Sequence, residues 1–181
     1  MNKAVMLSIR PKWCEKIASG EKTIEVRKTR PKIETPFRCY IYETQGWVER
    51  DGIMAFRLGG RVIGEFTCNR IDRLAPENEP YGIYEIDDDY VLQTCLENGA
   101  LWDYGHGTPL YGWHISDLKI YDAPKKLGEF WRDCLEYLEL STNCWSCENV
   151  CGDGDETDCN TDGRLYLHRP PQSWCYVEAM K

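Results

Sequence analysis

The sequence predicts an α+β domain: a small mixed β-barrel with short helices at its periphery. Three observations predict it. Several short segments alternate apolar and polar residues with the two-residue period of a half-buried strand. The helical patterns between them are brief. Neither the regular strand–helix–strand units nor the glycine-rich phosphate fingerprint of a doubly wound fold is present.

Ala4 to Ile9 reads as the first strand. Pro11 suits the first turn of a helix, where its missing N–H leaves nothing unsatisfied. Trp13, Cys14, Ile17 and Ala18 then share one helical face, and Gly20 is placed to end that helix, which covers roughly residues 11–19. Ile24 to Lys28 reads as a strand with Ile24 and Val26 on one side and Thr23, Glu25 and Arg27 on the other. Pro31 and Pro36 bracket a loop. Phe37 to Glu43 alternates again. After the turn at Gly59-Gly60, a long strand starts at Val62 and extends toward Leu74. Asp87-Asp88-Asp89 resembles a helix entrance, because acids favour the positive end of the helix dipole; three acids are also a conceivable metal group. That helix is expected to pass Cys95 and Leu96 and to stop near Gly99. Trp113 to Ile120 suggests a bulged strand, Leu127 to Leu140 a helix, and Ser173 to Glu178 a closing strand. Residues 141–164 are polar and rich in Cys, Gly and Asp, so they form a loop or a small insertion. The whole chain, 1–181, is expected to be one domain carrying that insertion.

The 42% hydrophobic and 12% aromatic content excludes global disorder. No apolar run approaches the ~18 residues of a membrane span. Arg10 interrupts the first apolar stretch too early for a signal-peptide core. A soluble, cytoplasmic protein with no membrane partner is therefore expected, and its ten Cys are expected to be reduced. The net charge of −8 hides an asymmetry. Residues 1–73 carry 15 basic against 9 acidic residues, whereas residues 74–181 carry 7 against 21. A basic N-terminal part on an acidic chain fits a local anion-binding face, provided that folding does not interleave the two parts.

The richest motif is Gly20-Glu21-Lys22-Thr23-Ile24-Glu25-Val26-Arg27-Lys28. A helix ends, the chain turns, and a strand begins, so Lys22, Glu25 and Arg27 converge at one junction. Arg and Lys suit phosphate, and a carboxylate can orient the Arg or accept from a base edge. The plain alternative is an exposed strand face with a solvated ion pair. Of the three histidines, His106, His114 and His168, none has metal-ligand spacing, and no Ser/His/Asp pattern is legible.

Leu7-Ser8-Ile9-Arg10-Pro11, Trp13, Ile17 and then Gly20-x-Lys22-x-x-Glu25-x-Arg27 resemble the ASCH (activating-signal-cointegrator homology) domain family of the PUA-like superfamily. Its hallmark G-x-K-x-x-E-x-R is matched at all four positions. Arg61 to Phe66 resembles a later strand of the family, and Tyr111 to Leu118 and Arg169 to Trp174 resemble its phage and bacterial branch. The resemblance implies a PUA-like β-barrel that binds RNA or another nucleic acid in a cleft lined by Lys22, Glu25 and Arg27, flanked by Lys28. Trp13 either stacks a base there or belongs to the core. Certain relatives are amidohydrolases on acetylated cytidine that use a Lys, a Thr two residues after a Lys-Thr pair, and a distant Glu; others are ribonucleases. Here Lys22-Thr23 is present, but Glu25 occupies the Thr position. Catalysis by Lys22 and Glu25 as an acid/base pair on RNA or a modified nucleoside is the alternative implied. A third reading is a protein adaptor that uses the acidic C-terminal part.

Cys144, Cys147, Cys151 and Cys159 lie within sixteen positions, with His168 as a possible substitute. Four thiolates so close suit a structural tetrahedral Zn²⁺; the alternative is a reduced insertion. Protein purified without chelator is expected to contain about one zinc per chain, lost when Cys147 and Cys151 are both changed to Ser. Metal analysis showing no zinc in the wild type would remove this reading.

Overall fold

The computed structural model describes residues 3–50, 52–57, 59–76, 84–133 and 164–180. Strand β1 (Lys3–Ile9) is followed by helix α1 (Pro11–Ala18), β2 (Ile24–Arg27), β3 (Phe37–Glu43), β4 (Gly46–Arg50), β5 (Ile53–Arg57) and β6 (Arg61–Leu74). Helices α2 (Asp88–Thr94) and α3 (Asn98–Gly105) come next, then β7 (Leu110–Lys126), a single 3-10 turn (Leu127–Glu129), β8 (Trp131–Asp133), β9 (Arg164–Tyr166) and β10 (Trp174–Glu178). Six strands form the main sheet, in the order β10-β1-β3-β6-β7-β2. All of its pairs are antiparallel except β1 with β3.

Both faces of this sheet are covered, which explains why β1 is apolar at almost every position. Val5, Leu7 and Ile9 face one way, into a core shared with Cys14 and Ile17 of α1 and with Phe37, Phe66 and Trp113. Ala4 and Met6 face the other way, against Tyr40, Val62, Phe130 and Val177. A third cluster (Val26, Leu74, Tyr84, Leu101 and Leu110) seats α3 against the outer side of β2 and β7.

The mixed α+β character is as expected, but the closed barrel is not formed: among the described residues no ladder joins β2 to β10. The sheet nevertheless curls tightly. β7 and β10 are four strands apart, a separation of roughly 19 Å in a flat sheet. Yet the rings of Trp113 (β7) and Trp174 (β10) lie 6.2 Å apart. Bulges drive the bending: the β6–β7 register shifts three times, and β7 carries Asp117 at φ 49°. At Gly64 the strands approach so closely that a Cβ would lie 2.5 Å from the Lys119 carbonyl oxygen. Side chains bridge the seam where the ladder stops. Trp174 Nε1 donates to Thr29 Oγ1 at 2.9 Å, and the Lys32 backbone N–H donates to the Tyr176 hydroxyl at 2.8 Å.

Two element assignments need correction, and one hairpin was not assigned. Residues 127–133 are not helical: Leu127 and Phe130 bury within one 3-10 turn, and Trp131–Asp133 pairs with β9. Residues 134–140, the insertion at 141–164 and all four cysteines of its cluster lie outside the described residues. The helix expected to stop near Gly99 is two helices. Asp87 caps α2 by accepting from the Tyr90 N–H, Cys95 ends it in a left-handed conformation (φ 54°), and Gly99 lies inside α3. The β4–β5 hairpin was signalled only by Asp51-Gly52, a turn pair that favours positive φ; Gly52 has φ 75°. No helix among the described residues is long and apolar enough to cross a membrane.

If side chains rather than a ladder hold the seam, Trp174→Phe and Thr29→Val should each cost about 0.5–1 kcal/mol. The double variant should cost little more than either alone. Urea denaturation of the four proteins checks this, and full additivity would refute the bridge.

Candidate functional site

The site begins where α1 ends. Gly20 takes φ 80° and its N–H donates to Ile17 O at 3.0 Å; the Lys22 N–H then folds back onto Lys16 O at 2.9 Å. This turn delivers Lys22 to the mouth of β2. In the β2–β7 register Glu25 faces Trp113 directly, so both side chains project from the same sheet face, toward the inside of the curl. Arg27 follows two residues later on that face.

Lys22, Glu25 and Arg27 do converge, as the spacing predicts. Lys22 Nζ lies 3.4 Å from Glu25 Oε2, and Arg27 Nε lies 3.1 Å from Glu25 Oε1. They are not a solvated strand face: the three residues are 2%, 6% and 7% exposed. Nor do they line a broadly open cleft; they form the nearly buried floor of the concave side. Each cation is held by a backbone carbonyl from elsewhere in the chain. Lys22 Nζ donates to Thr94 O at the end of α2 (2.6 Å), and Arg27 Nη2 donates to Ser8 O of β1 (2.7 Å). β2 and β1 are four strands apart in sheet order, so the second bond exists only because the sheet curls. The Trp13 ring lies against the Lys22 ammonium, 5.1 Å from centroid to Nζ, and Lys12 approaches the same ring at 5.0 Å. Trp13 is half-buried and packs on the main core, as the second of its two expected roles requires. Lys28 is exposed, with its ammonium 5.0 Å from the centre of the Tyr104 ring.

Burying two cations and one carboxylate is expensive, several kcal/mol per ion before pairing. The hydrogen-bond count is also incomplete. Arg27 Nε is near Glu25 but outside hydrogen-bond geometry, and Trp113 Nε1, fully buried opposite Glu25, has no hydrogen-bond partner. Two buried donors, on Arg27 and on the Trp113 that pairs with Glu25 across the strands, therefore have bonding capacity to spare. That combination suits a planar polar group bearing both acceptors and donors, such as the edge of a base. No cluster of metal-ligating side chains occurs among the described residues.

The sequence did not indicate the carbonyls of Thr94 and Ser8, or Trp113; a carbonyl's role carries no residue-type signal. His114 projects to the opposite side of the sheet. Its Nε2 lies 2.7 Å from Asp72 Oδ2, and Arg70 holds the same carboxylate with two 2.8 Å bonds. Partial burial pushes the Asp72 carboxyl up, but hydrogen bonds from Arg70 and His114 outweigh this and hold it below the usual carboxylate range. The ring of Tyr90 from α2 packs edge-on against His114, 6.5 Å between centroids, so this group buttresses the helix that supplies Thr94. Burial raises the Cys39 thiol well above its ordinary value and Cys68 to about 12; neither is in a disulfide, and these two act as small apolar residues.

Solved structures with the same fold include an ASCH protein from Zymomonas mobilis, with TM-score 0.56, 20% identity and coverage of 97% of this chain and 88% of that one. A Ser-to-Ala variant of that protein matches at TM-score 0.56 and 19% identity, over 97% and 88% of the two chains. Its Tyr-to-Phe variant matches at 0.55 and 19%, over 96% and 88%. At this identity the likeness establishes the fold alone. No curated protein matches the chain. Residues 7–97, which take in the end of the first strand, the helix–strand junction and Lys22, Glu25 and Arg27, match the ASCH domain family model. The chain belongs to the ASCH domain family.

Proposed function

We propose that this protein binds single-stranded RNA and admits one base, edge first, to the pocket floored by Lys22, Glu25 and Arg27. The observation that carries the reading is the buried cation–carboxylate–cation row beneath Trp13. Well-packed apolar side chains would serve stability as well or better. The row therefore fits a binding role more naturally than a structural one. Trp13 lies beside the pocket as a stacking surface once Lys12 moves aside, and Lys28 at the end of the strand suits the phosphate backbone.

A second reading, hydrolysis of RNA or of a modified nucleoside, is favoured by one contact. Lys22 Nζ and Glu25 Oε2 at 3.4 Å are placed to exchange a proton. They would act as a general acid/base pair on a group held by Arg27.

The charges can be removed together without leaving one unpaired. Lys22→Met/Glu25→Leu/Arg27→Met should be neutral to stabilising by about 1–4 kcal/mol, whereas Glu25→Ala alone should cost about 3–5 kcal/mol. The triple variant should lose RNA affinity at least tenfold, measured by anisotropy at fixed salt. A folded triple variant that binds as the wild type does would overturn the binding site. Turnover of labelled RNA or acetylated nucleosides that vanishes in Glu25→Gln would select the hydrolase reading.

A further inference from the structure

The basic loop that leaves β2 bounds a second concavity. Residues Arg30 to Thr35, together with Ile71 of β6, line a half-open cavity of ≈ 420 Å³. That volume lies in the range of small-ligand sites. Its shape is preformed, because the loop is tied to β10 on both sides of Arg30: Thr29 accepts from Trp174, and the Lys32 N–H donates to Tyr176. The wall is apolar where it meets the core: Pro31 is buried, and Ile33 and Ile71 are half-buried against the cluster that contains Trp113. The rim is charged. Arg30, Lys32 and Glu34 are all exposed, which leaves a local excess of one positive charge.

The sheet register locates this cavity relative to the buried charges. Ile71 of β6 faces Trp113 of β7, and Trp113 faces Glu25 of β2. Directly opposed residues project from the same face, so all three stand in one row inside the curl. Ile71 and Glu25 are two strands apart, roughly 10 Å. The cavity and the charged residues thus lie close together on either side of Trp113, whose indole is itself buried in the core between them. Lys28, Arg30 and Lys32 follow one another at alternate positions as the chain passes from pocket to cavity.

We infer that the cavity is a second nucleotide subsite. It receives a nucleotide of the same RNA strand whose neighbouring base enters the Lys22–Glu25–Arg27 pocket, and in that respect it rests on the function proposed above. Pro31, Ile33 and Ile71 pack against the base and ribose, while Arg30 and Lys32 hold the phosphate. An apolar wall with a cationic rim is the division of labour that single-strand binding requires.

The test uses fluorescein-labelled single-stranded RNA hexamers of mixed sequence, with anisotropy recorded across a salt series. Arg30→Ala/Lys32→Ala should weaken binding about tenfold and reduce the log–log salt slope by about 1.4, the value for two cations on a single strand. Arg30→Lys/Lys32→Arg should retain wild-type binding. Ile33→Ser should weaken binding a few-fold with the slope unchanged, since it removes contact but no charge. Lys119→Ala/Lys126→Ala removes the same charge elsewhere and should have little effect. Circular dichroism confirms that each variant is folded. Wild-type affinity and slope in Arg30→Ala/Lys32→Ala, alongside lost binding in Lys22→Met/Glu25→Leu/Arg27→Met, would overturn the second subsite and leave the first standing. Equal weakening by the Lys119/Lys126 pair would also overturn it, as a general charge effect. A wild type that binds no hexamer would remove both sites together.

Discussion

One carboxylate held between two cations, almost out of water, is the arrangement on which the rest of the structure turns. Glu25 is flanked inside the curl by Lys22 and Arg27, and neither cation is held by Glu25 alone. Lys22 needs the Thr94 carbonyl at the end of α2, and Arg27 needs the Ser8 carbonyl on β1. Three segments distant in sequence must therefore be in place before any of the three charges is stable. Breaking one contact leaves an uncompensated buried charge, and this makes the junction between α1 and β2 dependent on the whole sheet.

The sheet supplies that condition by curling without closing. A closed ladder between β2 and β10 would occupy the backbone groups at the seam and bring the two edges to the fixed spacing of paired strands. The observed seam uses Trp174 and Tyr176 to reach the loop after β2 instead. The gap left between the edges is filled by that loop, so the basic segment following Arg27 lies against β10 rather than free in solution. Openness of the sheet and placement of the basic loop are one structural fact.

Local patterns were legible and global ones less so. Pro11, the apolar face of α1 and Gly20 identify the first helix to within a residue, because each acts through its own backbone conformation. The two-residue period of β2 correctly assigned Glu25 and Arg27 to one face. It did not reveal that this face is buried, because charged residues on a strand ordinarily face water and only the curl reverses that. Leu127 to Leu140 misled for a related reason: apolar residues three apart fit one 3-10 turn as well as a helix, and tertiary contacts decide. Cys95 at φ 54° is invisible to sequence rules, which reserve that conformation for Gly and Asn, so the break between α2 and α3 went unmarked. Gly20, Lys22, Glu25 and Arg27 were legible as a spacing; the carbonyls that complete the site were not, since every residue has one.

The acidic balance of the chain, −8 overall, is compatible with a polyanionic ligand once distances are considered. Charges act on a ligand over about one Debye length, roughly 8 Å at physiological salt, so net charge matters less than what surrounds the pocket. Asp72, the acid nearest in sequence to the cavity wall at Ile71, lies on the β-strand beside Gly112 and is engaged by Arg70 and His114 on the side away from the curl. Asp87 is spent on capping α2. On the concave side Lys22 and Arg27 are matched by Glu25 and by the buried Glu43, which opposes Ile9, whereas Arg30 and Lys32 outnumber Glu34 at the cavity rim. A strand of RNA approaching the loop would meet the excess positive charge of Arg30 and Lys32, with the acidic bulk of the sequence reaching it only as a screened background. Under the proposed function, a bound strand would run from the pocket at Glu25, along the exposed Lys28, to the loop at Arg30.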